Sequence, residues 1–135
     1  MNIRKINYSN VLLAAAVTLT TVSGVAFAGA KVIAPVQVTA TSMYGSFGST
    51  RNSANASEYI YCSYYARSSD GLLHASCAAL TASGTFKTCW TRNSSLMDAI
   101  KTMTDSNWVS VTFDATGQCT DIYTLNSSYH EPKVR

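Results

Sequence analysis

The fold is decided by residues 59–91, which read YIYCSYYARSSDGLLHASCAALTASGTFKTCWT. Three runs rich in Tyr, Leu, Ala and Cys are separated by two four-residue stretches, 68–71 and 81–84, that each end in Gly. A stretch of this kind favours a type I turn closed by a Gly bulge. The pattern predicts an antiparallel meander of three strands, at 59–66, 72–80 and 85–91.

Two more strands and one helix extend this meander. The strands, 108–113 and 119–125, flank a third turn that ends in Gly, at 114–117. Ser95 and Asp98 have the spacing of a helix capping box. Four apolar residues share one face of this helix, namely Leu96, Ala99, Ile100 and Met103. The fold class is then α+β, with an antiparallel β-meander sheet of five to six strands, one short helix packed on a face, and two disulfides.

The cysteines indicate disulfides and no metal site. They are Cys62, Cys77, Cys89 and Cys119. An even number in a short exported chain is typical of disulfides, and the spacing fits no zinc knuckle, so we expect neither metal nor cofactor. A three-residue loop in the second turn places Cys77 opposite Cys89, which favours the pairs Cys77–Cys89 and Cys62–Cys119. A two-residue loop in the first turn would instead place Cys62 opposite Cys77, so the connectivity stays open.

Residues 1–28 have the features of a secretory signal peptide. Arg4 and Lys5 precede an apolar stretch, and Ala26-Phe27-Ala28 matches the small-x-small pattern that signal peptidase cleaves, here before Gly29. The stretch is too short and too rich in Thr for a membrane-spanning helix. We therefore expect an exported protein, periplasmic or extracellular, with no membrane span in its mature part.

The mature chain divides into an N-terminal part, 29–57, and a disulfide-stabilised β-rich body, 58–135. In residues 29–40 apolar side chains recur at every second position, including Val32, Val36 and Val38. This alternation predicts a strand, and the proline within it restricts the strand to a sheet edge. The Ser, Gly and Asn residues that follow predict a long loop up to residue 57.

Charge and motifs exclude several classes of function. The chain carries 10 Lys and Arg against 7 Asp and Glu, and the loss of Arg4 and Lys5 leaves a net charge of only +1. Binding to nucleic acid needs a dense basic face, so we expect no such partner. No G-x-S-x-G, H-E-x-x-H, phosphate-loop or dinucleotide motif is present. We therefore expect no catalytic residue, and no enzyme.

Tyrosines supply the candidate binding residues. Tyr59, Tyr61 and Tyr65 share one face of the first predicted strand, and Tyr64 lies on the other face. An open tyrosine face suits stacking on a glycan or contact with a protein. We expect the helix or the N-terminal strand to cover this face, because Tyr pairs pack well within sheets. An open face is the alternative.

Three segments carry a resemblance to known proteins. They are CAALTASGTFKTC at 77–89, GQCTDI at 117–122, and a tail in which Ser128-Tyr129 is followed by Pro132-Lys133. Together they resemble small exported four-cysteine proteins of Gram-negative bacteria. The resemblance spans residues 62–133, rests on Cys and turn Gly, and implies an envelope or secreted setting but no activity.

Three functions follow, in order of preference. The first is a small secreted non-catalytic module that binds an envelope component, a glycan or a protein through Tyr59, Tyr61 and Tyr65. The second is a self-assembling subunit of an extracellular fibre or surface structure, in which the 32–40 strand completes a neighbour's sheet. The residues that would carry this assembly are Val32, Val36 and Val38. The third is a small hydrolase centred on His74 or His130.

Overall fold

The structure is a computed structural model that describes residues 30–134, and the predicted signal peptide, 1–28, lies outside the described residues. Within that part the elements follow in the order β1 (Gln37–Val38), β2 (Ser42–Ser46), α1 (Phe47–Arg51), β3 (Tyr59–Arg67), β4 (Leu72–Leu80), β5 (Phe86–Thr91), α2 (Ser94–Lys101), β6 (Asn107–Phe113) and β7 (Cys119–Asn126). Neighbouring strands within each sheet pair antiparallel. The predicted α+β class, with antiparallel strands and two disulfides, is confirmed.

The strands form two sheets that share one core. The four-stranded sheet has the order β1-β2-β6-β7, and the three-stranded sheet has the order β3-β4-β5. Two sheets form instead of one because β6 pairs with β2 and β7 and not with β5. The two sheets meet where the Trp90 N–H donates to the Gly117 carbonyl oxygen at 3.0 Å. Apolar residues from both sheets, such as Val111 and Ala79, lie in a single buried cluster.

Both hairpins of the three-stranded sheet have a register that the sequence allows, from a two-residue loop in the first turn and a three-residue loop in the second. In the first hairpin Cys62 lies opposite Cys77, and in the second Cys77 lies opposite Cys89. Gly71 and Gly84 close these turns with φ of 65° and 87°, a left-handed conformation that glycine adopts without steric cost. Three cysteines therefore lie side by side across the sheet.

The preferred disulfide pairing, Cys77–Cys89 with Cys62–Cys119, is wrong, because the bonds are Cys62–Cys77 and Cys89–Cys119. The alternating spacings of an antiparallel ladder distinguish the two neighbours of Cys77. The Cα atoms of Cys62 and Cys77 are 4.0 Å apart, which is the narrower spacing and brings the two side chains together. Cys89 then bonds to β7, so the second disulfide joins the two sheets covalently.

The predicted loop at 41–57 contains β2 and α1. A Cβ atom on Gly45 would lie 3.2 Å from the Cα of Val36, and Gly48 lies directly against the backbone of Glu131 in the C-terminal segment (129–134). The Ser46 hydroxyl caps α1. Gly45 and Gly48 are residues typical of loops, but here they allow two backbone segments to pack closely.

The N-terminal strand is shorter than predicted. Only Gln37–Val38 pairs with β2, at the sheet edge. Val36 is 2% exposed and belongs to the core, whereas Val32 is 49% exposed. This segment lies against its own domain.

The helix α2 packs on the core as predicted, but its N-cap is Asn93 and not Ser95. The Asn93 side-chain oxygen accepts hydrogen bonds from the N–H groups of Ser95 and Leu96, at 2.9 and 3.2 Å. Met97 and Ile100 are buried, and the other three residues of the predicted apolar face, Leu96, Ala99 and Met103, are partly buried against the core.

Candidate functional site

The outer face of the three-stranded sheet is open and rich in aromatic residues. Side chains of odd-numbered residues in β3 and of even-numbered residues in β4 and β5 share this face. Six rings lie on it and define what we call the aromatic face: Tyr59, Tyr61, Tyr65, His74, Phe86 and Trp90. The Tyr, Phe and Trp rings are each 38–50% exposed.

The expectation that other elements cover the tyrosines is wrong. The opposite face of this sheet, which carries Ile60, Ala75 and Cys77, is the one that is buried. The four-stranded sheet and α2 pack on that buried face. Val109 of β6 and Met97 of α2 belong to the same core cluster as Ile60, Ala75 and Cys77. The aromatic face is therefore left open.

The tyrosines form a line along β3. The ring centroids of Tyr59 and Tyr61 are 5.8 Å apart, and Tyr65 packs on His74 of β4 at 5.0 Å. Same-face positions in a strand are about 7 Å apart, so the line from Tyr59 to Tyr65 is about 20 Å long. Midway along it, the Ser63 hydroxyl lies 2.9 Å from the hydroxyl of its neighbour on β4.

A groove of about 300 Å³ lies beyond Tyr65, and its lining residues are Leu72, His74, Trp90 and Arg92. The Arg92 guanidinium lies over the Trp90 ring, 6.0 Å from its centroid. Within residues 30–134, Arg92 forms no ion pair. The ion pairs in this part of the chain involve Arg67, Lys101 and Lys133 instead.

A second guanidinium lies at the same end of the aromatic face. Arg67 lies over the Tyr65 ring at 5.8 Å, and its Nη1 is 3.5 Å from a carboxylate oxygen of Asp70. Arg92 therefore lines the groove, and Arg67 lies opposite Leu72, another lining residue, in the register of β3 and β4. This end of the aromatic face has an excess of positive charge.

The two histidines do not form a hydrolytic triad. His74 packs on a tyrosine ring, and buried His130 has an Nδ1 without a hydrogen-bond partner in the described part of the chain. In that part neither imidazole forms an ion pair with a carboxylate. Residues 30–134 also contain no group of three His, Cys, Asp or Glu side chains arranged to hold a metal ion.

A separate cleft of about 420 Å³ opens at the other end of β3. Tyr59 belongs both to this cleft and to the aromatic face, and the charged residues in its lining are Arg51, Glu58 and Lys133. The Lys133 ammonium bonds to Asp105 at 2.8 Å. The cleft therefore offers charges of both signs, Arg51 and Glu58 among them.

The outer face of the four-stranded sheet carries a different aromatic cluster. Trp108 packs against Tyr44 and Tyr123, with both centroid distances 6.1 Å. These rings cover one another and form no line along a strand. Tyr123, which is 54% exposed, provides a matched control position for the tyrosines of the aromatic face.

The amino-acid pattern predicts only part of this site. The alternation in β3 predicts that Tyr59, Tyr61 and Tyr65 share one face, but it does not group Trp90 or Arg92 with them. The register of the second hairpin would have grouped them, because it places Trp90 opposite Ser76 and so on the same face as the tyrosines. The predicted assembly residues Val32, Val36 and Val38 lie on the N-terminal segment, outside the three-stranded sheet.

The chain matches no protein-family model, no curated protein and no solved structure. Two disulfides are typical of a non-reducing compartment. Within residues 30–134 no helix is both long and apolar enough to cross a membrane.

Proposed function

We propose that this protein is an exported, non-catalytic module that binds an extended acidic glycan along its aromatic face. The observation that carries the proposal is the line of exposed rings at Tyr59, Tyr61 and Tyr65, which ends beside Arg67 and Arg92.

Exposed rings in a line suit a chain of sugars. A sugar ring has an apolar C–H face that stacks on an aromatic ring and a rim of hydroxyls that need polar partners. The tyrosines supply the stacking surface, and the Ser63 hydroxyl lies between them. An aromatic side chain has about 200 Å² of surface, so a ring with the observed exposure offers roughly 90 Å². Covering all of that area gives an upper bound of about 2 kcal/mol, or roughly 30-fold in affinity, per ring.

The preference for acidic groups follows from the local charge. Arg92 has no carboxylate partner in the described residues, and Arg67 shares its charge with Asp70. A guanidinium binds carboxylate or sulfate groups through parallel hydrogen bonds. The overall net charge is too small to attract polyanions in general, so the proposed selectivity depends on this one end of the face.

The test is a binding titration of the full chain, expressed for export and purified with its disulfides intact. The probes are polygalacturonate, alginate and heparin, each beside its esterified or desulfated derivative, and tryptophan fluorescence reports binding. We expect the charged forms to bind more tightly. Tyr61→Ser and Tyr65→Ser each weaken binding, by up to roughly 30-fold, and Arg92→Gln reduces the difference between the charged and uncharged probes.

Tyr123→Ser is the matched control, because it removes an equally exposed tyrosine from the other sheet. It leaves binding unchanged if the aromatic face is the site. Absence of binding to every probe, or equal effects of Tyr123→Ser and Tyr61→Ser, contradicts the proposal.

No observation favours the two alternative functions over this one. Strand donation through residues 32–40 would have to withdraw Val36 from its own core. A hydrolase would need an orienting carboxylate, and neither His74 nor His130 contacts one in the described part of the chain.

A further inference from the structure

The strand β3 has a free edge. It is the outermost strand of the three-stranded sheet, is nine residues long, and pairs only with β4. No turn, loop or other strand within residues 30–134 forms backbone hydrogen bonds to its outer side. A row of unpaired N–H and C=O groups of this length is a template for pairing with another strand.

The register identifies which groups point outward. The narrow 4.0 Å spacing of Cys62 and Cys77 marks a pair that exchanges no backbone hydrogen bonds, so the N–H and C=O of Cys62 point away from β4. Alternation along the strand gives the same outward direction to Ile60, Tyr64 and Ala66.

The far side of the sheet gives an independent check on this assignment. The Trp90 N–H points away from β4, because it donates to the Gly117 carbonyl oxygen in the turn between β6 and β7. Alternation then directs the backbone of Cys89 toward β4 and that of Cys77 toward β5. The backbone N–H and C=O of Cys62 therefore point away from β4, which agrees with the narrow Cα spacing of Cys62 and Cys77.

Nothing in the sequence of β3 blocks this edge. Natural proteins protect exposed edges with proline, with inward-pointing charges, or with bulges. Residues 59–66 contain no proline and no charged side chain, and β3 pairs with β4 without a break in register. The first charge in the strand is Arg67, at its last position.

We propose that two copies of the chain pair antiparallel through the free edges of β3, with Tyr59 of each copy opposite Arg67 of the other. An antiparallel pair exchanges hydrogen bonds only between residues that both point outward. This register meets that condition, because it pairs Ile60 with Ala66 and Cys62 with Tyr64. It also uses the full length of the strand, whereas other allowed registers leave residues unpaired.

The proposed register brings charged residues of the two copies close together at the ends of the strands. The register places Arg67 of the second copy opposite Tyr59, which lines the 420 Å³ cleft. Glu58 and Arg51 line that cleft, and the incoming turn carries Arg67 and Asp70. In each half of a symmetric dimer, Arg51 and Glu58 of one copy therefore lie near Asp70 and Arg67 of the other copy. Charges of opposite sign are available on both sides of this contact.

The test is the molar mass of the exported full chain, measured by light scattering over a wide range of concentration. We expect twice the mass of one chain. Tyr64→Pro removes an outward N–H without loss of a bond to β4, and we expect it to raise the dimer dissociation constant about 30-fold or more, because two symmetric hydrogen bonds are lost. Tyr64→Ala is the matched control, since it removes the same side chain, retains the N–H and remains dimeric.

Ala66→Pro with Ala66→Ser repeats the comparison at a second position, and intact disulfides with an unchanged circular dichroism spectrum show that each variant folds. Hydrogen exchange provides a second measurement, in which the amides of Ile60 and Cys62 are protected in the dimer and exposed in Tyr64→Pro. A monomer at all concentrations, an open-ended polymer, or a dimer unaffected by both prolines overturns the proposal. The dimer does not depend on glycan binding, so either proposal can fail alone.

Discussion

Removal of the disulfide between the sheets is expected to cost a large part of the stability of the domain. Cys89–Cys119 closes a loop with a sequence separation of 30 and joins β5 to β7, whereas Cys62–Cys77 closes one of 15 within a single sheet. The chain-entropy relation gives about 3.6 kcal/mol for the first loop and about 3.0 kcal/mol for the second. Cys89→Ala/Cys119→Ala is the perturbation, and Cys62→Ala/Cys77→Ala is its matched control.

The two loops share no residues, so their chain-entropy contributions add. Removal of both disulfides then costs roughly 6–7 kcal/mol, which is comparable to the whole stability of a small domain. Urea unfolding followed by circular dichroism and fluorescence measures each loss. A loss below about 1 kcal/mol for the intersheet pair contradicts the assigned role of that bond.

The connectivity itself is checked before unfolding by tryptic digestion without reduction. Cleavage at basic residues separates the four cysteines onto four peptides, 52–67, 68–87, 88–92 and 102–133. We expect the first two peptides to be linked to each other and the last two to be linked to each other. A link between 68–87 and 88–92 would contradict the structure.

Three further perturbations test local features. Gly48→Ala should destabilise the protein by about 1–3 kcal/mol in urea unfolding, because the new methyl group overlaps the C-terminal segment; a gain, as alanine gives in an unobstructed helix, refutes that packing. Asn93→Ala should cost about 1 kcal/mol by the same assay and Ser95→Ala under about 0.5 kcal/mol, and the reverse order refutes the observed cap. The Thr116 hydroxyl and nearby backbone N–H groups lower the pKa of Asp114. The ionised carboxylate therefore stabilises the folded state at pH values above the ordinary carboxyl pKa, and this stabilisation is lost as pH falls through the lowered pKa. An NMR titration giving a pKa for Asp114 above the ordinary value contradicts this, and Asp114→Asn should remove this part of the pH dependence.

Turn chemistry made the hairpins predictable because it acts over a few residues. Gly71 and Gly84 mark the turns, and each turn restricts the residues that lie opposite one another. The choice of partner for Cys77 was not predictable in this way. It depends on which of its two neighbours lies at the narrow spacing, and that alternation leaves no trace in the amino-acid pattern.

The segment 41–57 shows why the rest of the fold was missed. Its Ser and Gly residues have the composition of a loop, yet Gly45 and Gly48 allow close contacts with residues far away in sequence. Such contacts override local propensity. The insertion of β2 next to β6 then produces two sheets, and the packing of the second sheet decides that the tyrosine face stays open.

The most direct test of glycan binding is an NMR titration that follows the two tryptophan indole N–H signals. The chain contains two Trp residues, Trp90 in the three-stranded sheet and Trp108 in the four-stranded sheet. On addition of polygalacturonate, alginate or heparin, the account predicts that the Trp90 signal shifts in a saturable way while the Trp108 signal stays in place. A shift of Trp108 alone, or of neither signal with all three polysaccharides, would contradict it.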